Sequence, residues 1–202
     1  LSDGHVFYNS LNYSRKGFGL NVQYKKTFRF PLRTSPFTDF LVGTINYMPP
    51  MSKQNAKTLL ARYSISAQNF GEQALQSELT FSPNKKNTLT ANFSYVEDDG
   101  QKKLFHEINA DWYHRFGRKL KATVGAQSIY YNKLVYENHL DVYKNGEQED
   151  AVVKTFTPFA EFVYKIQRRK SLRSEIQYLF TEQDHGDFLF GLLEYSIAPH
   201  WS

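Results

Sequence analysis

The sequence predicts an all-β fold, an antiparallel up-and-down transmembrane β-barrel of about eleven strands. Segments of roughly ten or more residues alternate apolar and polar side chains, and turn-forming residues separate these segments. Aromatic residues are abundant, with 17 Phe and 14 Tyr. The mean hydropathy of −0.57 is too low for a helical membrane protein, and no run of roughly 18 apolar residues is present. A barrel accounts for both properties, because only alternate residues of each strand face lipid.

Composition limits the domain organisation and the function classes. The chain, residues 1–202, is predicted to be a single outer-membrane β-barrel domain or a portion of a larger barrel. It contains no Cys, so neither a disulfide framework nor a thiolate metal site is available. The net charge of +5 would suit a nucleic-acid-binding protein, but the cations are concentrated in turns between strands. No nucleic-acid partner is therefore expected.

The first four predicted strands cover His5–Tyr13, Phe18–Phe30, Phe40–Tyr47 and Thr58–Ile65. The first has mixed parity, whereas the second alternates cleanly. Its apolar parity holds Phe18, Leu20, Val22, Tyr24, Phe28 and Phe30, and its polar parity holds Asn21, Gln23, Lys25, Thr27 and Arg29. The third precedes a connection with two consecutive Pro residues, which cannot donate hydrogen bonds to a neighbouring strand.

The next four predicted strands cover Gln73–Phe81, Thr88–Glu97, Leu104–Phe116 and Leu120–Tyr136. The first two form a hairpin, because the six residues between them, Ser82–Asn87, are strong turn formers. All four alternate apolar and polar residues. This period-two pattern is that of a strand with one apolar and one polar face.

The last three predicted strands cover Val152–Ile166, Leu172–Phe180 and Phe188–Ile197. The first two alternate, and the third is apolar at nearly every position except Glu194 and Ser196. Bacterial single-chain barrels have an even number of strands, so a count of eleven predicts that other strands complete this barrel.

Two kinds of connection alternate along the chain. The short ones, which are rich in Lys and Arg and contain no acid, are Ser14–Gly17, Pro83–Asn87, Gly117–Lys119 and Arg168–Lys170. The others, mostly longer and acidic in the last three, are Pro31–Asp39, Ala67–Glu72, Glu97–Lys103, Asn138–Ala151 and Glu182–Asp187. Outer-membrane barrels place short turns in the periplasm and long loops outside. The basic end is therefore expected to be periplasmic.

Polar-parity residues are predicted to line the barrel interior. The candidates are Arg62, Glu78, Glu107, Asp111, Arg115, Lys121, Gln127, Glu161, Lys165, Arg173, Glu175 and Glu194. Glu107 and Asp111 lie four residues apart on one strand, roughly 13 Å, which is too far for a catalytic carboxylate pair. A solvated interior of mixed charge explains these residues better than an active site does.

Other chemistry has weaker support, and no enzyme activity, cofactor or metal is expected. Ser128 and His114 have side chains that a hydrolase at the barrel rim would need, but every strand contains such residues. The six His residues are scattered along the chain, which does not suit a metal site.

The loop Asn138–Ala151 could bind divalent cations or bridge to lipopolysaccharide through its acids, but it lacks calcium-loop spacing. The basic turns could bind a periplasmic partner or anionic lipid head groups, or simply protect sheet edges.

Two segments resemble a known family. Gly17–Lys26 reads GFGLNVQYKK and Ile45–Gln54 reads INYMPPMSKQ, and paired hairpins with basic turns follow. These features resemble an uncharacterised family of outer-membrane barrels from Bacteroidota, over most of the chain. The resemblance implies a location and a fold, and carries no activity onto particular residues.

The expected function is that of an outer-membrane β-barrel acting as a structural or partner-binding subunit of a bacterial envelope assembly. About eleven strands enclose only a narrow or filled interior, which favours this role over the alternative of a passive porin-like channel for small solutes. A soluble β-barrel or sandwich, for example one that binds an apolar ligand, is the third alternative, and long strands argue against it. The expected partners are outer-membrane lipid including lipopolysaccharide, and other envelope proteins.

Overall fold

The structure, a computed structural model, describes residues 4–30, 32–33, 44–45, 48–67, 71–137 and 152–197. Strands account for nearly all of its regular structure. In chain order the elements are β1 (His5–Arg15), β2 (Phe18–Phe28), β3 (Leu32–Arg33), β4 (Thr44–Ile45), β5 (Gly71–Asn84), β6 (Asn87–Asp98), β7 (Lys103–Phe116), β8 (Leu120–Asn132), α1 (Lys133–Tyr136), β9 (Val152–Gln167), β10 (Lys170–Leu179) and β11 (Phe188–Ile197). The predicted all-β class is confirmed. None of the helical residues described here forms a helix long and apolar enough to cross a membrane.

Nine strands form one antiparallel sheet in the order β1-β2-β5-β6-β7-β8-β9-β10-β11, and β3 pairs with β4 separately. Short turns join β1 to β2, β5 to β6, β7 to β8 and β9 to β10 at one end of the sheet. These turns match the predicted basic turns, and the up-and-down topology is confirmed. Within the described residues no strand pairs with the outer edge of β1 or β11, so the sheet is open and is not closed into a barrel.

The two faces of the sheet have opposite chemistry. One face is apolar and exposed: Ile108, Trp112 and Leu193 retain 49%, 41% and 72% of their accessible surface. The other face is polar. Strand pairing aligns one polar row across six strands, formed by Asn21, Glu78, Asn92, Asn109, Gln127 and Thr157. Asn92, Asn109, Gln127 and Thr157 are buried.

A segment without regular structure, residues 48–67, covers part of the polar face, and we call it the covering segment. Its Met51, Leu59, Leu60, Tyr63 and Ile65 are buried. All of these except Leu60 belong to an apolar cluster with side chains of the sheet that include Val96, Phe105, Ile129, Val153 and Leu179. The hydrophobic core therefore lies between the covering segment and the sheet. This core occupies the end of the polar face remote from the short turns.

The covering segment corrects one predicted strand. Thr58–Ile65 alternates apolar and polar residues but pairs with no strand, and it begins with a turn in which the Ala61 N–H donates to the Lys57 carbonyl (3.0 Å). Its alternation arises because one side packs on the sheet.

One further strand prediction differs from the structure, and another falls mostly outside the described residues. The strand predicted to end at Tyr136 ends at Asn132, because α1 turns the chain and stacks the Tyr136 ring on Tyr131 at 5.3 Å. The predicted strand Phe40–Tyr47 lies outside the described residues except for Thr44–Ile45. The loop Asn138–Ala151 also lies outside them.

Candidate functional site: the covered polar face

The polar face and the covering segment together form the candidate site. Of the twelve residues predicted to line an interior, Arg62 lies in the covering segment and not on a strand. Alternation places the other eleven on the polar face of β5 and β7–β11. Arg115, Lys121 and Lys165, near the short turns, and Glu78, at the middle of β5, are exposed. Glu107, Gln127 and Glu175 are buried beneath the covering segment.

Lys53 attaches the first part of the covering segment to β7. Its ammonium donates to Asn109 Oδ1 (2.8 Å) and Asp111 Oδ2 (3.1 Å), and its backbone N–H donates to Glu107 Oε2 (3.1 Å). Glu107 Oε1 also accepts a hydrogen bond from Gln127 Nε2 (2.8 Å). The carboxylates of Glu107 and Asp111, too far apart to act together, therefore bind one lysine.

Lys57 attaches the middle of the segment to β9 and β10. Its ammonium lies 2.8 Å from Glu161 Oε2, 3.7 Å from Glu175 Oε1 and 5.0 Å from the centre of the Phe159 ring. Arg173 donates from Nη2 to both carboxylates, at 2.9 Å and 2.5 Å. Lys57 and Arg173 thus form a compact network with these two carboxylates on the covered face.

Side-chain amides of the sheet bind the backbone of the covering segment. The Leu59 N–H donates to Gln177 Oε1 (2.8 Å), and Gln127 Nε2 donates to the Leu60 carbonyl (3.1 Å). Both glutamines are buried. These bonds replace the ladder that a strand would provide, so the segment can lie on the sheet without pairing with it.

Arg62 and Tyr63 attach the end of the segment to the loop between β10 and β11. The Tyr63 hydroxyl donates to Asp184 Oδ2 (2.8 Å), the Arg62 guanidinium lies 3.5 Å from the same oxygen, and Lys133 donates to Asp184 Oδ1 (2.6 Å). Burial and the neighbouring Asp184 raise the pKa of Tyr63 to about 12 against the opposing effect of Arg62. Tyr63 is therefore a neutral donor at physiological pH.

A buried ion pair lies under the start of the segment. The Lys25 ammonium pairs with the Glu72 carboxylate and donates to the Pro49 carbonyl at 3.0 Å. The Lys25 and Glu72 side chains are 0% and 2% exposed. Both belong to neighbouring strands of the polar face, which explains why two charges can meet there away from solvent.

The residues that the sequence prediction missed are Lys25, Lys53, Lys57, Gln177 and Asp184. A signal was present for two of them: between residues 48 and 67 the chain carries Lys53, Lys57 and Arg62 but no acid. Carboxylates of the polar face pair with Lys53 and Lys57, and the carboxylate of Asp184, in the loop between β10 and β11, pairs with Arg62. The cations of the covering segment and the carboxylates around it are thus complementary, and their role is to attach the segment to the sheet.

Catalytic and metal-binding arrangements were also assessed. Ser128 of β8 is paired with Ile108 of β7, and His114 of β7 is paired with Ala122 of β8. Ile108 and His114 lie six positions apart along β7, so about 20 Å separates Ser128 from His114 on the apolar face. The structure therefore does not bring Ser128 and His114 together. In the described part of the chain, no three His, Asp or Glu side chains are grouped to hold a metal ion.

Replacing Asp184 by Asn should weaken the attachment at neutral pH and not in acid. Burial tends to raise the pKa of Asp184, but hydrogen bonds from Lys133 and Tyr63 and the charge of Arg62 hold it below its usual value. A carboxyl with a lowered folded-state pKa stabilises the fold above its unfolded-state pKa, and loses that contribution as the pH falls through the folded-state value. We expect a loss of about 1.5–3 kcal/mol in the free energy of unfolding at pH 7, from the charged hydrogen bonds. The loss should shrink below about pH 4.

Urea unfolding at pH 7 and pH 3 measures this difference. Asp184 has a positive φ of 51°, which Asn tolerates as well as Asp, so the substitution adds no backbone strain. Glu182→Gln removes the same charge from an exposed neighbour and serves as the control. An equal loss at both pH values would contradict the role given to the Asp184 charge.

Comparison with known proteins gives one match. The chain matches a family of unknown function (DUF6029) over residues 1–202. No curated protein and no solved structure matches it.

Proposed function

Given that the chain belongs to this family of unknown function, we propose that it forms part of the wall of a bacterial outer-membrane β-barrel and acts as a structural or partner-binding subunit of an envelope assembly. The outer-membrane location, and the Bacteroidota origin that the sequence resemblance implies, are part of this proposal. So are the partners, outer-membrane lipid including lipopolysaccharide and other envelope proteins.

The proposal rests on the exposure of the two sheet faces, which is the reverse of that in a water-soluble sheet. A water-soluble sheet buries its apolar face and exposes its polar face. Here the polar face holds buried Glu107, Gln127 and Gln177, while large apolar residues of the other face remain exposed. Contiguous apolar surface of this kind marks a membrane or protein contact. Lipid is the solvent that fits a face extending over nine strands.

Aromatic residues toward both ends of the apolar face support a bilayer in particular. Strand pairing aligns the half-buried Tyr24, Tyr95, His106 and Tyr130 in one row of this face, and the exposed Phe116, Tyr164 and Tyr195 in another. The two rows lie ten positions apart along β7, and a tilted strand crosses the hydrocarbon core of a bilayer with about 9–11 residues. Aromatic girdles flank the apolar band of outer-membrane barrels at both interfaces.

The strand directions set a condition on closure. All eight neighbouring pairs of the nine-stranded sheet are antiparallel, so β1 and β11 run in the same direction. An antiparallel barrel has an even number of strands, and closure therefore requires an odd number of additional strands between β1 and β11. Both edges need such partners in lipid, where unpaired backbone groups are costly.

The covering segment favours a filled interior over an open channel. On the barrel proposal the polar face lines the interior, and residues 48–67 occupy its half remote from the short turns. Ion pairs at Lys53, Lys57 and Arg62 hold the segment there. A filled interior suits a structural or partner-binding subunit. The passive channel is the second candidate, favoured by the exposed charges near the short turns.

Replacing Ala110 by Arg tests the lipid-facing assignment. Ala110 is exposed on the apolar face of β7, between the rows of His106 and Phe116, and a lipid-facing Arg near the bilayer midplane costs about 2–4 kcal/mol of folding free energy. The same change on a water-exposed surface costs under about 0.5 kcal/mol. Phe116→Arg, at the end of the same strand and at the level of an aromatic girdle, should cost about 0–1 kcal/mol. Urea unfolding of the protein folded in phospholipid vesicles measures both values.

Two further measurements complete this test. We expect the folded protein to require detergent and to migrate differently on a gel before and after heating. We also expect other envelope proteins to copurify with it from mild detergent. A near-zero cost for Ala110→Arg in a protein that stays soluble without detergent would overturn the membrane proposal.

A further inference from the structure

A cavity of about 390 Å³ lies at the short-turn end of the sheet, outside the contacts of the covering segment. The turns after β7 and β9 form its rim, and the adjoining ends of β8–β11 form its walls. The Lys165 N–H donates to the Lys119 carbonyl (2.7 Å), and this bond fixes the two turns side by side. Gly117, at a positive φ of 64°, lets the first turn reverse tightly.

The cavity is strongly basic. Among the described residues that line it there is no Asp or Glu. The cationic side chains in its lining include Arg118, Lys119, Lys121, Lys165, Arg168 and Lys170. Strand ends are often protected by lysines that point into solvent, but here two turns and the polar face direct cations around one volume. Because these cations line a single cavity, a bound anion would lower their mutual repulsion.

The acids of the polar face do not neutralise this cavity. The carboxylates nearest to it in the strand register are Glu161, Glu175 and Glu194, and the Arg173 guanidinium contacts all three. Lys57 also lies within ion-pair distance of Glu161 and Glu175. Arg173 and Lys57 thus pair with these three carboxylates, and the positive charge of the cavity begins beyond Arg173.

Size and donor chemistry define the ligand class. Small-molecule sites have volumes of roughly 300–1,000 Å³, so this cavity exceeds the needs of a single inorganic phosphate. Guanidinium groups bind phosphate oxygens in pairs, and lysine ammonium groups act as point charges toward the same oxygens. A ligand with two or more phosphate charges, or with a phosphate on a larger group, matches both properties.

We propose that this cavity is a binding site for phosphate-bearing anions, in which Lys121 and Lys165 on the polar face and the cations of the two turns contact the phosphate oxygens. The phosphate can belong to a soluble compound or to the head group of an anionic phospholipid. The site does not depend on the covering segment or on barrel closure, so its test can fail independently of the proposed function.

The experiment compares two double variants of the full chain in nonionic detergent. Lys121→Gln with Lys165→Gln removes two charges from the cavity. Lys85→Gln with Lys86→Gln removes two charges from the turn between β5 and β6, which does not line it. Calorimetric titration with inorganic pyrophosphate measures affinity for a soluble anion. Native mass spectrometry after reconstitution with phosphatidylglycerol, or with phosphatidylcholine as the zwitterionic reference, measures retained lipid.

We expect the cavity variant to lose at least tenfold in pyrophosphate affinity, or most of its retained phosphatidylglycerol, while the turn variant matches the unmodified protein. Raising the salt concentration should weaken binding by the unmodified protein. Dependence of pyrophosphate binding alone on the cavity identifies a soluble ligand, and dependence of lipid retention identifies a head group. Absence of both kinds of binding, or equal losses in the two variants, would overturn the proposal. Circular dichroism and the heat-dependent gel shift verify that each variant is folded.

Discussion

Replacing Lys25 by Met should lower the free energy of unfolding by about 3–5 kcal/mol, because it leaves the Glu72 carboxylate buried without its counter-charge. Both side chains are almost fully removed from solvent, so water cannot solvate the remaining charge. The change also removes the donor to the Pro49 carbonyl, through which the sheet binds the start of the covering segment. Urea unfolding measures the loss.

Two further variants separate the ion pair from general effects of the substitution. Lys26→Met makes the same change at the next position, whose side chain points to the opposite face, and should cost under about 1 kcal/mol. Combining Lys25→Met with Glu72→Leu removes both charges and should recover much of the loss, since apolar pairs replace buried ion pairs well. If the double variant is less stable than Lys25→Met alone, the buried-charge explanation is wrong.

Replacing Lys57 by Glu should release the covering segment from the sheet. The new carboxylate would face Glu161 and Glu175, with which the lysine now pairs. Two unit charges 4 Å apart interact by about 4 kcal/mol near a protein surface, and partial solvation reduces the effect here. A net change of about 3 kcal/mol corresponds to a more than hundredfold rise in the open population of the segment.

Limited proteolysis and conductance report this release. Cleavage by thermolysin between residues 57 and 62 should accelerate in proportion to the open population. If the sheet forms the wall of a barrel, the variant should also conduct ions in planar bilayers better than the unmodified protein. Lys102→Glu makes the same charge change in an exposed turn and should alter neither result. Unchanged cleavage of the Lys57→Glu variant would show that the apolar contacts alone hold the segment.

The regular part of the fold could be predicted from the sequence because each long strand reports its own two faces. The alternation of β2, for example, depends only on which residues belong to the apolar face and which to the polar face. The basic turns, such as 117–119, mark where the chain reverses. These signals are local, and the pairing of neighbours in chain order follows from them.

The covering segment could not be predicted from local signals. Leu59, Ala61, Tyr63 and Ile65 alternate with more polar residues as a strand would, and only the partners of their backbone show otherwise. Those partners include Gln177, which lies 118 residues further along the chain. The candidate interior residues Glu107 and Glu161 were identifiable from parity, but their cations were not, because nothing in their own strands indicates Lys53 or Lys57.

The position of the covering segment in the chain determines when it can be held in place during folding. It follows β4, yet Lys57 and Leu59 bind Glu161 and Gln177 on β9 and β10, at separations of 104 and 118 residues. Contacts that close such long loops form late, after the neighbouring hairpins have assembled. The covering segment can therefore be fixed in place only after β9 and β10 have joined the sheet. Attachment of residues 48–67 to the polar face thus requires a sheet that is complete through β10.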